Sequence, residues 1–308
     1  MLKDSIASPR EALLRHRSAL FESHCGAALD AVLDPWAAEF IASQRFNQLP
    51  HVSQSPVAVV VDDRPSRLLR FAVLNTLLLG RLSMRVVVMT TSAASGSMRD
   101  LFADWKGWVD VRALPAEIEA LSVNAYNGLL MSASFWEALP ADHIFVFQTD
   151  GLLVEPLDLS LFKYDYIGAP WTKDYVTSEV IRLYSPSLQE EVGVFCVKSA
   201  TNDIYLREGL KFGNGGMSIR NRGLMQRICV SEAVDWAVPE DLFFSRALER
   251  YGASLPPLEV ARRFSCETVY AQSLMAHKSH HYLAPGQQAE LMDRHFKTMM
   301  SMAFASLS

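Results

Sequence analysis

Val57-Ala58-Val59-Val60-Val61-Asp62-Asp63-Arg64-Pro65-Ser66 is an apolar run, mostly valine, that passes directly into acid, arginine and proline. An apolar run without alternation suits a strand covered on both faces, the situation inside a parallel sheet. Its polar end stops the strand, and a helical stretch then runs to Gly80, a plausible C-terminal cap. The unit recurs downstream, with strands expected at 85–89, 109–114 and 143–147 and helices at 98–105 and 126–139, the last stopped by Pro140. Strand and helix in alternation are the signature of a sheet with helices on both faces.

Upstream, the first 55 residues read as helices. Ser8-Pro9-Arg10-Glu11 is a capping box with proline at the first helical position. Asp34-Pro35-Trp36 repeats the start signal, and Trp36, Phe40 and Ile41 recur at helical spacing. A polar stretch with two prolines lies between Gln48 and Pro56 and marks a boundary. The expected division is a helical extension over 1–55, the main domain over 56–285 and a C-terminal helix over 286–308. The extension reads as a flap packed on the domain, or as a surface for a homo-oligomer or a partner.

Half of the 308 residues are apolar and a fifth are charged, which argues against a disordered or fibrous chain. The net charge of −5 weighs against a general nucleic-acid binder. The apolar stretches fall short of the ~18 to 20 residues of a membrane span. Lys3, Asp4, Arg10 and Glu11 interrupt the region where a signal peptide carries its apolar core. Cys25, Cys196, Cys229 and Cys266 lie far apart without a CxxC, so reduced thiols in a cytoplasmic protein are expected.

Parallel sheets bind ligands at the C-terminal ends of their strands. Two such ends carry acid here: Asp62-Asp63 with Arg64, and Gln148-Thr149-Asp150-Gly151. Neither contains the GxGxxG or GxxxxGK[ST] of a phosphate-cradling loop. A carboxylate leaving the sheet at Asp150 suits Mg²⁺ or Mn²⁺, although an aspartate before glycine is also an ordinary turn residue. His277-Lys278-Ser279-His280-His281 gathers three of the eight histidines, as a metal-diphosphate site or a surface cluster would. In Lys211-Phe212-Gly213-Asn214-Gly215-Gly216-Met217-Ser218-Ile219-Arg220, glycine lets a ligand lie against the main chain, with Ser218 and Arg220 placed to bond a sugar or phosphate. The other reading of that run is a tight turn between strands. Pro239-Glu240-Asp241 opens a helix, where acids serve the helix dipole or present a base at a pocket mouth.

Phe147-Gln148-Thr149-Asp150, Tyr164-Asp165-Tyr166-Ile167-Gly168-Ala169-Pro170-Trp171, Gly213-Asn214-Gly215-Gly216, Glu240-Asp241, Phe264-Ser265-Cys266-Glu267 and His277-Lys278 occur in that order. Together they resemble a glycosyltransferase-like domain family of unknown function, itself similar to the GT-A glycosyltransferase superfamily. Asn75 and Tyr126-Asn127 agree, and the resemblance spans roughly residues 57–283. It implies an α/β, Rossmann-type nucleotide-sugar domain with a mixed central sheet, preceded here by the helical extension.

The resemblance also implies roles. Asp150 matches the last acid of the DxD motif that holds Mn²⁺ or Mg²⁺ against a donor diphosphate, and His277 matches the histidine that completes such sites. Gln148 stands where many members have the first Asp, beside Thr149, and Lys278 would face the diphosphate. Asp62, Asp63 and Arg64 fall where the family recognises base and ribose. Asp241 matches the base of inverting members, with Glu240 gripping acceptor hydroxyls. Trp171, Asn214, Gly215, Gly216, Ser218 and Arg220 would line the cleft between donor sugar and acceptor. Two departures stand out. About forty residues (172–212) separate the two central motifs, longer than the family pattern, and the histidine motif lacks its glycine and proline-tryptophan, which leaves His280 as the substitute for His277. The implied activity is metal-dependent, inverting transfer from a nucleotide-diphosphate sugar to a saccharide or other hydroxyl acceptor. A retaining transferase or a silent glycan- or nucleotide-sugar-binding module are the alternatives.

Overall fold

The computed structural model describes residues 9–51, 55–170, 213–234, 239–268 and 270–307. Ser8, Trp171 and residues 172–212 lie outside the described residues. The fold is mixed α/β. A central six-stranded sheet contains β1 (Val57–Val61), β2 (Arg85–Thr90), β3 (Val109–Ala113), β4 (His143–Phe147), β6 (Tyr166–Ala169) and β7 (Asn214–Asn221), in the order β3-β2-β1-β4-β7-β6. The first four are mutually parallel, whereas β7 runs antiparallel to both β4 and β6.

All five residues of β1 are buried, and their parity explains the unbroken valine run. Ala58 and Val60 enter one core with Val86, Val88 and Phe145, while Val57, Val59 and Val61 enter a second core with Val87, Met89 and Val146. Helix α3 (Arg67–Leu79) covers the first face, capped by the Ser66 hydroxyl, which accepts from Leu69 N. Helices α1 (Pro9–Ala28) and α2 (Asp34–Ala42) add Phe21, Trp36 and Phe40 to that same core, as does the C-terminal helix Pro285–Leu307 through Leu291 and Met299. Trp36 Nε1 donates to Ser306 Oγ at 2.8 Å, tying the two ends of the chain together.

The second face is covered by shorter helices. The helix expected at 126–139 is two, α5 (Val123–Leu130) and α6 (Ala133–Glu137). Ser132 is extended between them, and the buried Trp136 indole takes the freed Leu130 carbonyl at 2.7 Å. Likewise 98–105 resolves into helix α4 (Ser95–Leu101) and a 3₁₀ turn at Ala103–Trp105. Helices α7 (Arg222–Ser231) and α8 (Glu240–Ala247) complete this layer.

Of the two readings of the glycine run, the turn is not the one that forms. Asn214–Asn221 is a continuous buried strand, and neither Gly215 nor Gly216 has positive φ. The glycines are there for space: a Cβ on Gly215 would overlap Glu240 and Arg220, and one on Gly216 would overlap the His277 ring.

A second sheet, β5 (Gly151–Leu153), β9 (Met275–His277) and β8 (Ser265–Cys266), sits beside the first. Because β7 is antiparallel to β4, with Phe147 opposite Met217, its start lies at the end of β4. Because Gly151 pairs with His277, β9 is brought to the same place. No helix among the described residues is long and apolar enough to cross a membrane.

Candidate functional site

These strand ends enclose a cleft of about 300 Å³. Its walls include Asp62 and Arg64 after β1, Gln148, Thr149 and Asp150 after β4, and Asn214 and Gly216 at the start of β7. Glu240 and Asp241 come from the first turn of α8, Glu267 from the end of β8, and His277 and Lys278 from the end of β9.

At its centre His277 Nε2 lies 3.0 Å from Gln148 Oε1 and 3.1 Å from Asp150 Oδ1, while Nδ1 lies 3.1 Å from Glu267 Oε1. The Asp150 carbonyl accepts from Lys278 N at 3.0 Å, which puts Lys278 Nζ 3.7 Å from Asp150 Oδ2. Burial alone would raise the Asp150 carboxyl, but the facing His277 and Lys278 charges hold it well below the usual carboxylate range. Burial works against charge on His277 too, yet Asp150 and Glu267 push it up to about 9.

The Asp150–His277 pair has the spacing of two ligands on one hard divalent cation. Cis ligands of an octahedral ion with ~2.1 Å bonds stand roughly 3 Å apart, the separation of Asp150 Oδ1 and His277 Nε2. Asp150 Oδ1 is buried, and among the described residues it faces the His277 ring alone, the nitrogen a cation would share with it. Among the described residues no group of three or more His, Cys, Asp or Glu makes a complete metal cage. Mg²⁺-type ions commonly take only one or two protein ligands and share the rest with water and phosphate, so the pair fits a cation held jointly with a diphosphate.

The other acids divide sharply. Asp62 is enclosed: its carboxylate accepts from Arg64 N, Nε and Nη2 at 2.8–3.0 Å and from Thr149 Oγ1 at 3.4 Å. It therefore aims the largely exposed Arg64 side chain at the cleft and leaves little of itself for a ligand. Asp63 accepts from Leu121 N at 2.8 Å, pinning the loop before α5. Glu240 gives both oxygens to Arg220, at 2.6 and 2.9 Å. Arg220 is fully buried beside the rings of Trp136, Tyr166 and Phe244, and also bonds Ser218 Oγ and the Gly215 carbonyl. Ser218 and Arg220 thus lie beneath the cleft rather than in its wall, and what the sequence offered as a sugar or phosphate contact is a buried ion pair under β7.

Asp241 meets backbone donors instead. Its Oδ1 accepts from Leu242 N at 2.9 Å and its Oδ2 from Gly215 N at 3.3 Å. Burial, then the charges of Glu240 and Glu267, push its carboxyl up to about 7. Of the histidine cluster only His277 lines the cleft. His280 stacks on Phe21 of α1, with ring centroids 4.4 Å apart, and His281 Nε2 is 3.1 Å from Ser18 Oγ. Trp171 lies outside the described residues.

Two residues of the site carried no role in the sequence reading. Glu267 sits where a short parallel pairing of β8 with β9 brings it level with His277, a register invisible before folding. Tyr126, on α5, lines the same cleft, and its buried hydroxyl has no well-directed hydrogen bond among the described residues. Its sequence signal was the agreement of Tyr126-Asn127 with the resembled family, which gave it no role.

No curated protein matches the chain. Among solved structures, the apo form of the glycosyltransferase GlyE from Streptococcus pneumoniae TIGR4 is 10% identical, with a TM-score of 0.39. That alignment covers 82% of this chain and 63% of the other, so the chain spans less than two thirds of its length. A family described as "Protein of unknown function (DUF5672)" matches residues 109–284, from β3 through the histidine motif. That match takes in more than half of the chain, which belongs to this family.

Proposed function

We propose that the chain is a glycosyltransferase that moves a sugar from a nucleoside-diphosphate sugar to a hydroxyl acceptor with inversion at the anomeric carbon. The observation that carries the reading is that Asp241, with a carboxyl titrating near 7, shares one cleft with the Asp150–His277 pair. A base poised near neutrality and a cation–diphosphate site are the two parts that such a transfer needs.

Asp150 and His277 would hold Mg²⁺ or Mn²⁺, which supplies Lewis-acid neutralisation of the departing diphosphate. Lys278, left-handed at φ 46, presents its ammonium beside Asp150, suited to a charge-assisted bond with phosphate. Arg64, oriented by Asp62, faces the same cleft as a donor contact. Asp241 takes the proton of the acceptor hydroxyl while its oxygen bonds to the anomeric carbon. The bond from that carbon to the phosphate oxygen breaks, and the electron pair leaves with the nucleoside diphosphate. A positioned base is worth roughly 10²- to 10⁴-fold.

A binding module without turnover is the second reading. It is favoured by Gln148, an uncharged residue whose Oε1 occupies the same ring nitrogen that would meet the cation. Release of nucleoside diphosphate from a panel of nucleotide sugars with Mn²⁺, with and without saccharide acceptors, decides between them. Release above the protein-free rate supports the transferase, and binding without release supports the module. The anomeric configuration of the product separates inversion from retention.

A further inference from the structure

Glu267 is almost completely buried, 1% exposed, and its bonds among the described residues fall on a single oxygen. That oxygen, Oε1, is shared by His277 Nδ1 at 3.1 Å and Asn214 Nδ2 at 2.9 Å, while Oε2 is buried without a partner among the described residues. The direction of these bonds follows from the neighbours. Asn214 Oδ1 accepts from the Gly216 backbone N–H at 2.9 Å, so the amide of Asn214 turns its NH₂ toward Glu267. A carboxylate can only accept, so His277 Nδ1 carries a hydrogen and Nε2 is the nitrogen facing Asp150. The ring is also confined by β7, because the His277 ring fills the space where a Gly216 side chain would be.

We propose that Glu267 is the positioning residue of this site, a single carboxylate oxygen that clamps the His277 imidazole to the glycine strand and aims Nε2 at the space beside Asp150. The assignment rests on the functional reading above and adds to it a residue that touches neither donor nor acceptor. It makes the reach of the side chain, rather than its charge, the property that matters. Two conservative variants separate these: Glu267→Gln keeps an oxygen acceptor at the same reach without charge, and Glu267→Asp keeps the charge one methylene short.

The test is Mn²⁺ uptake in the presence of pyrophosphate, read from the loss of the free-ion paramagnetic resonance signal on the full chain, with thermal unfolding recorded on the same samples. Losing an outer partner of a metal-bound histidine weakens binding by about 10- to 100-fold. That loss is expected for Glu267→Asp, with Glu267→Gln remaining about tenfold closer to the wild type. A glutamine variant as weak as the aspartate variant or weaker, or an aspartate variant that binds as wild type does, overturns the assignment alone. Wild-type protein that takes up no Mn²⁺ with pyrophosphate overturns the functional reading, and this assignment with it.

Discussion

Exchanging Glu240 for glutamine and Asp241 for asparagine, one at a time, sets two adjacent carboxylates against each other. Glu240 is the only carboxylate bonded to Arg220 among the described residues, and the arginine is fully buried. Glu240→Gln leaves that guanidinium charged among Trp136, Tyr166 and Phe244 with half of its fork unmatched. Removing one partner of a buried pair costs about 3 to 5 kcal/mol. Unfolding entropy of ~2.1 cal/mol/K per residue gives about 0.65 kcal/mol per degree for a chain of this length, so Tm should fall by about 5 to 8 °C. Asp241→Asn removes one hydrogen bond, from Gly215 N, worth about 1 kcal/mol, and at the same time relieves the burial of a charge and the repulsion by Glu240 and Glu267 that raise this carboxyl. The two effects oppose, and Tm should stay within about 2 °C. Turnover should instead fall by about 10²- to 10⁴-fold. Differential scanning fluorimetry at pH 7.5 and nucleoside-diphosphate release with Mn²⁺ read the two quantities. If Asp241→Asn melts the protein and Glu240→Gln leaves Tm in place, the division of roles is wrong.

Four further outcomes are expected. Asp150→Ala should abolish Mn²⁺-dependent binding of a nucleoside diphosphate while the chain still folds, at a lower Tm because His277 and Lys278 lose their facing charge, and calorimetry showing wild-type affinity would count against it. Gly216→Ala must displace the His277 ring, so it should weaken Mn²⁺ far more than it weakens the nucleotide measured without metal. Turnover should rise with pH through about 7, because Asp241 acts only when deprotonated, and the residual rate of Asp241→Asn should lack that step. Burial and His24 hold His295 well below its ordinary 6.5, so the unfolded chain binds the extra proton. Stability, complete above pH 6.5, should then fall by about 1.4 kcal/mol per pH unit below it, a slope that urea unfolding of His295→Gln should flatten.

Apart from the edge strand β3, which keeps Asp110 exposed, the strands of the parallel half (β1, β2 and β4) are covered on both faces, and that made this half of the fold legible. Such strands announce themselves as bare apolar runs, and the helices between them carry caps such as Ser66. The site was legible where a residue ends one of these strands, as Asp150 does, or opens a helix, as Asp241 does. It was not legible where function is decided by a partner distant in sequence. Arg220 and Ser218 looked like ligand contacts because their charge and hydroxyl stand beside glycine, and nothing local says that Glu240, twenty residues on, consumes the arginine. Of the two readings of the glycine run, the turn fails for a related reason. The commonest local use of glycine is a turn, whereas here it makes room for side chains from α8 and β9, a requirement that exists only in three dimensions.

The same distinction explains what the terminal helices do for the site. β5 is three residues long, and β9 pairs with only one of its edges. The Asn75 side chain serves the other: its Oδ1 accepts from Leu153 N at 2.9 Å and its Nδ2 donates to Leu153 O at 3.2 Å, as a neighbouring strand would. That amide is oriented in turn by His295 of the C-terminal helix, whose Nε2 accepts from Asn75 Nδ2 at 3.0 Å and whose Nδ1 meets His24 Nε2 of α1 at 2.8 Å. The pattern requires a neutral His295 with its hydrogen on Nδ1. Two helices from opposite ends of the chain therefore fix one buried asparagine, the asparagine fixes β5, and β5 carries Asp150 at its head opposite His277. A lone asparagine within the apolar run of α3 costs helix stability and buries a polar amide, and it is tolerated because it replaces a missing strand next to the residues that would hold the cation.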